Sequence, residues 1–272
     1  MINEVSALNI NYFIDIDLKY IINIFYGPSV ELILKNNIAI IPARGGSQGI
    51  VGKNLRDFCG KPLIAWTIEQ AKSSVGITRV IVSTDCKEIA EVSQQYGAEV
   101  PFFRPPEISM ANTPIEPVLS HAVNWLSNQD ERIIDSLTLL FPTNPLRQKE
   151  HIQHCLDLFF SSGADSVITV NESPAHYTPY WTLVQNEFGE VSYFGGGDIR
   201  SGYSQRQDFP QKCFAKNDLV FVFKPQNLFC EKSSIYGERV ELVVTDRIFD
   251  GDINSEEDWN LTIRSFLYLK SR

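Results

Sequence analysis

The sequence predicts an α/β fold built on a mainly parallel sheet, and two observations carry that prediction. Residues 38–41 read IAII and are followed by Pro42, as expected of a short strand that is buried on both faces. Further apolar runs follow, and they alternate with segments in which apolar residues recur at helical spacing. Such an alternation of strands and helices is typical of parallel sheets that are covered by helices.

This periodicity places the elements in chain order. Strands are predicted at residues 38–41, 79–85, 135–141, 165–170 and 219–223, and helices at residues 62–74, 87–96, 118–126, 151–161 and 256–269. Residues 101–117 hold five prolines, which excludes a regular helix or a central strand there. In the last helix we expect four apolar side chains to face inward: Trp259, Ile263, Phe266 and Leu267.

The composition limits both the class of protein and its partners. With 272 residues the chain can form one large domain, predicted at residues 38–272, after an extension of residues 1–37 whose role is open. Within that extension the alternation of Ile14, Ile16 and Leu18 with polar residues is compatible with an added edge strand. A net charge of −9 argues against nucleic acid as the main partner, because binding to a phosphate backbone depends on clustered Lys and Arg.

The cysteines and the N-terminus predict a cytoplasmic protein. The five cysteines are odd in number and form no CxxC pair, so we expect free thiols rather than a zinc site or a disulfide framework. No run approaches the roughly 18 apolar residues of a membrane span. No basic residue precedes Glu4, so a secretory signal is not expected either.

The segment after the first strand carries the strongest functional signal. Residues 43–56 contain four glycines, one serine and the cations Arg44, Lys53 and Arg56. Glycines allow backbone N–H groups to approach an anion closely, and the cations supply opposite charge, so the loop is predicted to bind phosphate. A glycine-rich turn with solvated cations is the alternative. The Walker pattern does not fit because Asn54 follows Gly52-Lys53, and G-x-G-x-x-G is absent.

Longer motifs around this loop resemble those of one enzyme family. IPARGGS at residues 41–47, GKN at 52–54 and GKPLIAWTI at 60–68 are similar to the signature of the acylneuraminate cytidylyltransferases, the CMP-sialic acid synthetases. The resemblance implies a three-layer α/β/α nucleotidyltransferase fold of Rossmann-like type. It also implies an enzyme that joins CTP to the anomeric hydroxyl of a nonulosonic acid, a nine-carbon keto sugar acid, and releases pyrophosphate.

The resemblance assigns roles in the nucleotide half of the site. Arg44 and Lys53 are implied to be catalytic, because they would neutralise the triphosphate and the departing pyrophosphate. Arg104 matches an Arg-Pro pair of the family and would contribute to the cytosine side of the pocket. The implied nucleotide-binding residues are Ala43, Arg44, Gly45, Gly46, Ser47, Lys53, Asn54 and Arg104.

The sugar half departs from the family pattern. PTNPLR at residues 142–147 resembles the family's PTSPLR, so Phe141, Thr143 and Asn144 are implied to bind the sugar. Members that use sialic acid commonly have Gln where this chain has Phe141 and Ser where it has Asn144, and an aromatic ring cannot replace the hydrogen bonds of an amide. Ordinary N-acetylneuraminic acid is therefore not the expected substrate. Legionaminic, pseudaminic and eight-carbon octulosonic acids stay open.

Residues 171–207 differ in composition from the rest of the chain, because they are rich in Tyr, Trp, Gly and polar residues. The resemblance implies that they form an arm that packs against a second subunit and lends residues to its site, and hence a homodimer. QRQDFP at residues 205–210 is similar to a motif of the family. The resemblance implies that Arg206, with Gln207 beside it, binds the sugar carboxylate through its guanidinium fork. A disordered surface loop is the alternative.

The last motif, FDGDINSEEDW at residues 249–259, resembles the family's block that holds Mg²⁺ or another divalent cation. It implies Asp252 as a metal ligand, while Asn254 occupies the second carboxylate position and Asp250 is the expected replacement. Asp218 stands where the family usually has Gly, which leaves the local backbone shape open. The alternative from another class is a non-catalytic nucleotide-binding module that has lost the metal site.

Overall fold

The computed structural model describes residues 35–129 and 132–272. The edge strand predicted within the N-terminal extension lies outside these residues and stays a prediction. Among the helices of the described ranges, none combines the length and the apolar character needed to span a membrane.

A central sheet of six strands organises the fold. The strands of the described chain are β1 (Asn37–Pro42), β2 (Asp57–Phe58), β3 (Lys61–Pro62), β4 (Arg79–Ser83), β5 (Ser136–Leu139), β6 (Ser166–Glu172), β7 (Leu183–Gln185), β8 (Val191–Tyr193), β9 (Phe214–Phe223) and β10 (Val240–Val244). The sheet order is β10-β6-β9-β5-β1-β4. The pairs β1/β4, β1/β5 and β6/β10 are parallel, whereas β9 lies antiparallel between β5 and β6. The predicted mainly parallel sheet is confirmed.

Helices cover both faces of this sheet. They are α1 (Leu63–Ser73), α2 (Lys87–Gln95), α3 (Ile115–Gln129), α4 (Lys149–Ser162) and α5 (Glu256–Lys270). Ala39 and Ile41 of β1 belong to a core cluster with α1, α2 and α4, whereas Ile38 and Ile40 belong to a second cluster with α3. Because successive side chains of a strand point to opposite faces, a run that is apolar at every position requires a core on each side. The predicted α/β layering is confirmed.

The C-terminal helix α5 builds a third, smaller cluster. Trp259 and Phe266 meet the ring of Phe58 edge-on, with ring centroids 5.4 and 5.5 Å apart, and Ile263 packs partly buried beside them. These residues face inward as predicted. Leu267 does not, since 57% of it is exposed, so that part of the prediction is wrong.

The boundaries of α3 and β9 differ most from the prediction. Helix α3 begins at Ile115 and so includes Pro117 in its first turn, where proline is tolerated because the N–H groups there have no partner within the helix. Strand β9 begins at Phe214, five residues before the predicted start at residue 219. Strand β10 is absent from the predicted elements.

The segment predicted as an arm contains a small folded unit. Strands β7 and β8 pair as an antiparallel hairpin. Phe209 lies at the centre of an aromatic cluster, with ring centroids 4.9 to 5.7 Å from those of Tyr180, Trp181 and Tyr203. The hairpin and the cluster give this segment defined contacts, unlike the disordered loop that was the alternative.

Candidate active site

The candidate site lies along one edge of the central sheet. Five strands run in one direction and β9 runs in the other; the five are β1, β4, β5, β6 and β10. The carboxyl ends of these five strands and the amino-terminal half of β9 therefore lie at the same edge of the sheet. In open α/β sheets, ligands bind beyond the carboxyl ends of the strands. The glycine loop follows β1, Phe141 follows β5 and Asp218 lies in β9, so the topology itself brings these residues to the same edge.

The glycine loop is held against the end of β4. The Gly45 N–H donates to Asp85 Oδ1 at 2.8 Å, and the Ala43 N–H donates to the Ser83 carbonyl at 2.9 Å. A side chain at Gly45 would place its Cβ 2.9 Å from the Cβ of Cys86, so this close approach requires glycine. A cavity of about 140 Å³ opens between the loop and α2, and its lining includes Arg44, Gly45, Ser47 and Asn54.

Lys53 connects the glycine loop to the C-terminal acidic block, residues 249–259. Its Nζ donates to the Ile253 carbonyl at 2.7 Å. Burial lowers the pKa of Lys53, the carboxylate of Asp252 opposes that shift, and Arg44 adds to it. The neighbouring Asn54 is buried, and its Nδ2 donates to the Arg44 carbonyl at 3.1 Å. Lys53 therefore keeps N–H donors for a ligand, whereas Asn54 shapes the loop.

Arg104 is buried at the end of β4. Its Nε donates to Ser83 Oγ at 3.2 Å and its Nη2 to the Ser83 carbonyl at 2.5 Å. Burial lowers the pKa of Arg104, and Asp85 opposes that shift. Ala43 is likewise buried, whereas Gly46 is exposed. The structure thus gives Arg104 a role in positioning the end of β4.

Ile253 fixes the acidic block from two sides. Its N–H donates to the Thr143 carbonyl at 3.0 Å, its carbonyl accepts from Lys53, and its side chain is fully buried. Gly49 packs against the next residue, since a Cβ added there would lie 2.0 Å from the Asn254 carbonyl oxygen. The glycine loop, the end of β5 and the acidic block therefore form one connected structure.

The carboxylates of the acidic block fall into two groups. Asp258 Oδ2 accepts from the N–H groups of Asn254 at 3.0 Å and Ser255 at 2.8 Å. Hydrogen bonding to the Ser255 side chain lowers the pKa of Asp258, and the two residues form a capping box at the start of α5. Asp252 is half-buried and accepts from Asn254 Nδ2 at 2.7 Å. Burial raises the pKa of Asp250, Arg247 opposes that shift, and Asp252 adds to it.

The donor chemistry of Asp252 and Asp250 fits Mg²⁺. This ion is usually held by one or two carboxylates together with substrate phosphates, and rarely by a complete protein cage. Within the described ranges no group of three or more His, Cys, Asp or Glu residues is arranged to hold an ion. If Mg²⁺ binds here, the two aspartates would supply part of its coordination shell and a bound triphosphate would supply the rest.

Asp218 lies at an irregularity of β9 next to the acidic block. The pairing of β9 with β6 shifts register between Ile168 and Val170, and Asp218 has a φ of +53°. Aspartate tolerates this left-handed conformation better than most residues, so the backbone takes a shape that glycine also favours. Burial raises the pKa of Asp218, and the charges of Asp252 and Asp250 add to this shift.

The residues predicted to bind the sugar at the end of β5 are placed at different depths. Phe141 is half-buried and meets the ring of Phe221 edge-on at a centroid distance of 6.2 Å. Thr143 is also half-buried. Asn144 is fully buried, and its Nδ2 donates to the Asp218 carbonyl at 3.3 Å. Asn144 is therefore held against the backbone of β9, and its contact with the sugar stays a prediction.

Arg147 is a residue of the same motif that was not predicted to have a site role. Its guanidinium is fully buried and donates to Thr67 Oγ1 and to the carbonyls of Phe141 and Leu219. Burial lowers its pKa to about 9. Arg147 thus ties α1, β5 and β9 together beneath the site, and its place in PTNPLR was the available signal.

Arg206 and Gln207 lie apart from the glycine loop, in a second cavity of about 660 Å³. Its lining also includes Glu172 at the end of β6 and Arg247, which follows β10. Sequence reasoning missed Arg247, because no motif surrounds it and β10 was not predicted. The predicted residues are therefore brought together as two groups, on either side of β9.

Solved structures show the same fold. A CMP:2-keto-3-deoxy-manno-octonic acid synthetase complexed with CTP superposes with a TM-score of 0.61 at 16% identity, over 88% of this chain and 100% of that one. A 4-diphosphocytidyl-2C-methyl-D-erythritol synthase from Anaerococcus prevotii gives a TM-score of 0.59 at 14% identity, over 88% and 99% of the two chains.

Relatives with higher identity cover nearly the same part of the chain. CMP-N,N'-diacetyllegionaminic acid synthase of Legionella pneumophila is 32% identical over 231 residues, which is 83% of this chain and 94% of the relative. Pseudaminic acid cytidylyltransferase of Campylobacter jejuni is 31% identical over 223 residues, 82% and 92% of the two chains. Post-translational flagellin modification protein B of Campylobacter coli is 30% identical over 224 residues, also 82% and 92%. A family profile described as Cytidylyltransferase matches residues 38–252, and the chain therefore belongs to the cytidylyltransferase family.

Proposed function

We propose that this protein transfers CMP from CTP to the anomeric hydroxyl of a nonulosonic acid and releases pyrophosphate. The observation that carries the proposal is the link through Ile253, whose carbonyl accepts from Lys53 of the glycine loop and whose neighbours are Asp252 and Asn254. It holds the loop that is predicted to bind phosphate and the two carboxylates that are expected to bind a metal ion in one connected structure. A glycine-rich turn with merely solvated cations would not need this connection.

The proposed reaction is a displacement at the α-phosphorus. The sugar oxygen forms a bond to that phosphorus, the bond from the α-phosphorus to the bridging oxygen breaks, and pyrophosphate leaves. Arg44 and Lys53 neutralise the triphosphate and the leaving group, and the Gly46 N–H donates to a phosphate oxygen, whereas the N–H groups of Gly45 and Ser47 are bonded within the protein. When bound at Asp252 and Asp250, Mg²⁺ would offset further charge on the phosphates. The hydroxyl proton passes to a carboxylate of the acidic block.

The relatives at 31 and 32% identity favour a legionaminic or pseudaminic type of acid as the sugar. Phe141 supports the same choice, because its half-buried ring offers an apolar surface where an amide would offer hydrogen bonds. The likeness to an octulosonic acid synthetase is one of fold.

Three further properties belong to the same proposal. A divalent cation is expected because the two aspartates fit Mg²⁺ and the triphosphate carries several negative charges. A homodimer is expected because Phe188 and Phe194 of the arm are exposed. A cytoplasmic location is supported by the five free cysteines, which suit a reducing compartment.

One assay tests the proposal and its alternatives. We would measure pyrophosphate release from CTP and Mg²⁺ with a panel of legionaminic, pseudaminic, N-acetylneuraminic and octulosonic acids. Release with the first two acids is the expected result. Release with the octulosonic acid alone would reassign the sugar. CTP binding without turnover of any acid would show a non-catalytic nucleotide-binding module.

A further inference from the structure

Asp85 lies at the candidate site but is not among the residues predicted to have a role there. It follows strand β4, and its Oδ1 accepts from the Gly45 N–H at 2.8 Å. The next residue touches the loop as well, because a Cβ added at Gly45 would lie 2.9 Å from the Cβ of Cys86. The turn between β4 and α2 therefore holds the first glycine of the loop by a hydrogen bond and by close packing.

The bond to Asp85 fixes one end of a short anchored segment. At its other end the Gly45 carbonyl accepts from the Ser47 N–H at 3.1 Å. The Gly46 N–H lies between these two anchored positions and has no hydrogen-bond partner among the described residues. A backbone donor whose neighbours are held in place needs little reorganisation to bind an anion. The orientation of the Gly46 N–H thus depends on the acceptor that Asp85 provides.

A carboxylate beside a phosphate site is unfavourable unless its charge is offset, because like charges repel. Arg104 can offset it, since its guanidinium is buried and donates to uncharged oxygens of β4. The charge of Asp85 opposes the lowering of the Arg104 pKa by burial, so the two groups attract each other. Arg44 adds a second positive charge here, and Glu88, which lines the cavity beside the loop, adds a second negative one. Asp85 can therefore offer an oxygen to the loop while its charge is balanced.

We infer that Asp85 is a positioning residue for the triphosphate of CTP: it orients the glycine loop through its acceptor oxygen, and Arg104 offsets its charge. The inference rests on the proposed function and adds a residue that touches neither substrate. It also separates two properties of one side chain. The oxygen of Asp85 favours nucleotide binding because it holds the Gly45 N–H, whereas its negative charge does not favour binding.

Two substitutions separate the oxygen of Asp85 from its charge. Asp85→Asn keeps an acceptor oxygen for the Gly45 N–H and removes the charge, whereas Asp85→Ala removes both. In calorimetric titrations with CTP and Mg²⁺, Asp85→Ala should bind about 10-fold more weakly than the unmodified protein, and Asp85→Asn should stay within about 2-fold. The loss in Asp85→Ala should be smaller for CMP, which lacks the β- and γ-phosphates. Because Asp85 is exposed, the midpoint of urea unfolding should change little in either variant.

Asp57→Ala is the matched control, because Asp57 is also exposed and its Oδ1 also accepts from a glycine N–H, that of Gly60, at 3.2 Å in the turn between β2 and β3. It should leave the affinity for CTP unchanged. An unchanged affinity in Asp85→Ala, an Asp85→Asn variant that binds as weakly as Asp85→Ala, or equal losses for CTP and CMP would each overturn the inference while the proposed function stands. An unmodified protein that binds no CTP would overturn the proposed function and the inference with it.

Discussion

Lys53 and Ile253 show how a side chain and a backbone act together at this site. The Lys53 ammonium donates to the Ile253 carbonyl at 2.7 Å, and burial lowers its pKa. A partly desolvated cation that is already held in place interacts more strongly with phosphate than a mobile surface lysine, because the local dielectric is low and little reorganisation is needed.

Replacing Lys53 should therefore affect catalysis strongly. We expect Lys53→Ala to lower the rate of pyrophosphate release from CTP by a factor of about 10² or more. Lys87→Ala is the control, since Lys87 is an exposed lysine of α2 that pairs with Glu91 at 3.6 Å. Turnover of Lys53→Ala within a few-fold of the control would exclude the proposed role.

Gly49 gives a second prediction at this scale. A Cβ there would lie 2.0 Å from the Asn254 carbonyl oxygen, so Gly49→Ala must push the glycine loop away from the acidic block. We expect weaker CTP binding in calorimetric titration, by about 10-fold. At Gly195 an added Cβ meets no atom within 4 Å, so Gly195→Ala should bind CTP normally. Equal affinities for the two variants would show that the loop tolerates the displacement.

Asp252 and Asp258 are six residues apart, but replacing each of them with alanine is expected to change a different property of the protein. Asp252→Ala should raise the Mg²⁺ concentration needed for half-maximal CTP binding, because it removes a carboxylate ligand. Asp258→Ala should instead lower the stability of the protein by about 1 kcal/mol, because it removes the capping box of α5. Magnesium titrations of CTP binding, together with urea unfolding, would distinguish the two. Superimposable magnesium curves for Asp252→Ala and the unmodified protein would exclude the metal role.

At the level of elements, Asp165 ties three strands together. Its carboxylate accepts from Lys224 Nζ at 2.8 Å and from the N–H groups of Glu238 at 3.1 Å and Arg239 at 2.9 Å. It thereby joins the start of β6 to the end of β9 and the start of β10. These hydrogen bonds, led by that from Lys224, lower the pKa of Asp165 to about 2.

The pH dependence of stability follows from this shift. A carboxylate whose pKa is lower in the folded state stabilises the fold above its ordinary pKa, 3.8, and that stabilisation is lost as the pH falls toward 2. Asp165→Asn should therefore lower the free energy of unfolding at pH 7 by about 0.5–1 kcal/mol, discounted for solvent screening. In urea unfolding the difference should shrink at pH 3. A difference of the same size at both pH values would contradict the assignment.

The strands also show how far local sequence determines this fold. β1 was predictable because an apolar residue at every position requires burial on both faces. β10 was not, because it is an edge strand in which Val240, Leu242 and Val244 are exposed, so no burial pattern marks it. The reversed direction of β9 depends on its pairing with β5 and β6, which are distant in sequence.

At the site, too, some features follow from the local sequence and others only from the tertiary structure. The glycine loop was predictable because glycine density and cations are local features. The role of Ile253 was not, because it acts through main-chain hydrogen bonds that form only in the folded protein. Arg247 depends on tertiary structure in the same way, since it lines a cavity that three separate segments of the chain build.

For the whole molecule, the arm is the feature that predicts association. Phe188 and Phe194 are 81% and 66% exposed, and exposed aromatic side chains are typical of surfaces that bind another protein. Arg206 belongs to the same excursion and faces the second cavity of its own chain. A partner that packs on the outer face of the arm would therefore hold this arginine in position without entering the cavity.

We expect the protein to sediment as a dimer. The dissociation constant of the double variant Phe188→Ser, Phe194→Ser should be about 10-fold higher or more, because aromatic residues buried in an interface contribute strongly to binding. Ile133→Ser is the control, since Ile133 is 79% exposed but lies outside the arm. Sedimentation equilibrium over a range of concentrations measures the dissociation constants. If the arm positions Arg206 through the dimer, the KM for the sugar acid should rise as the double variant is diluted. A monomeric unmodified protein with full activity would show that the arm does not act through association.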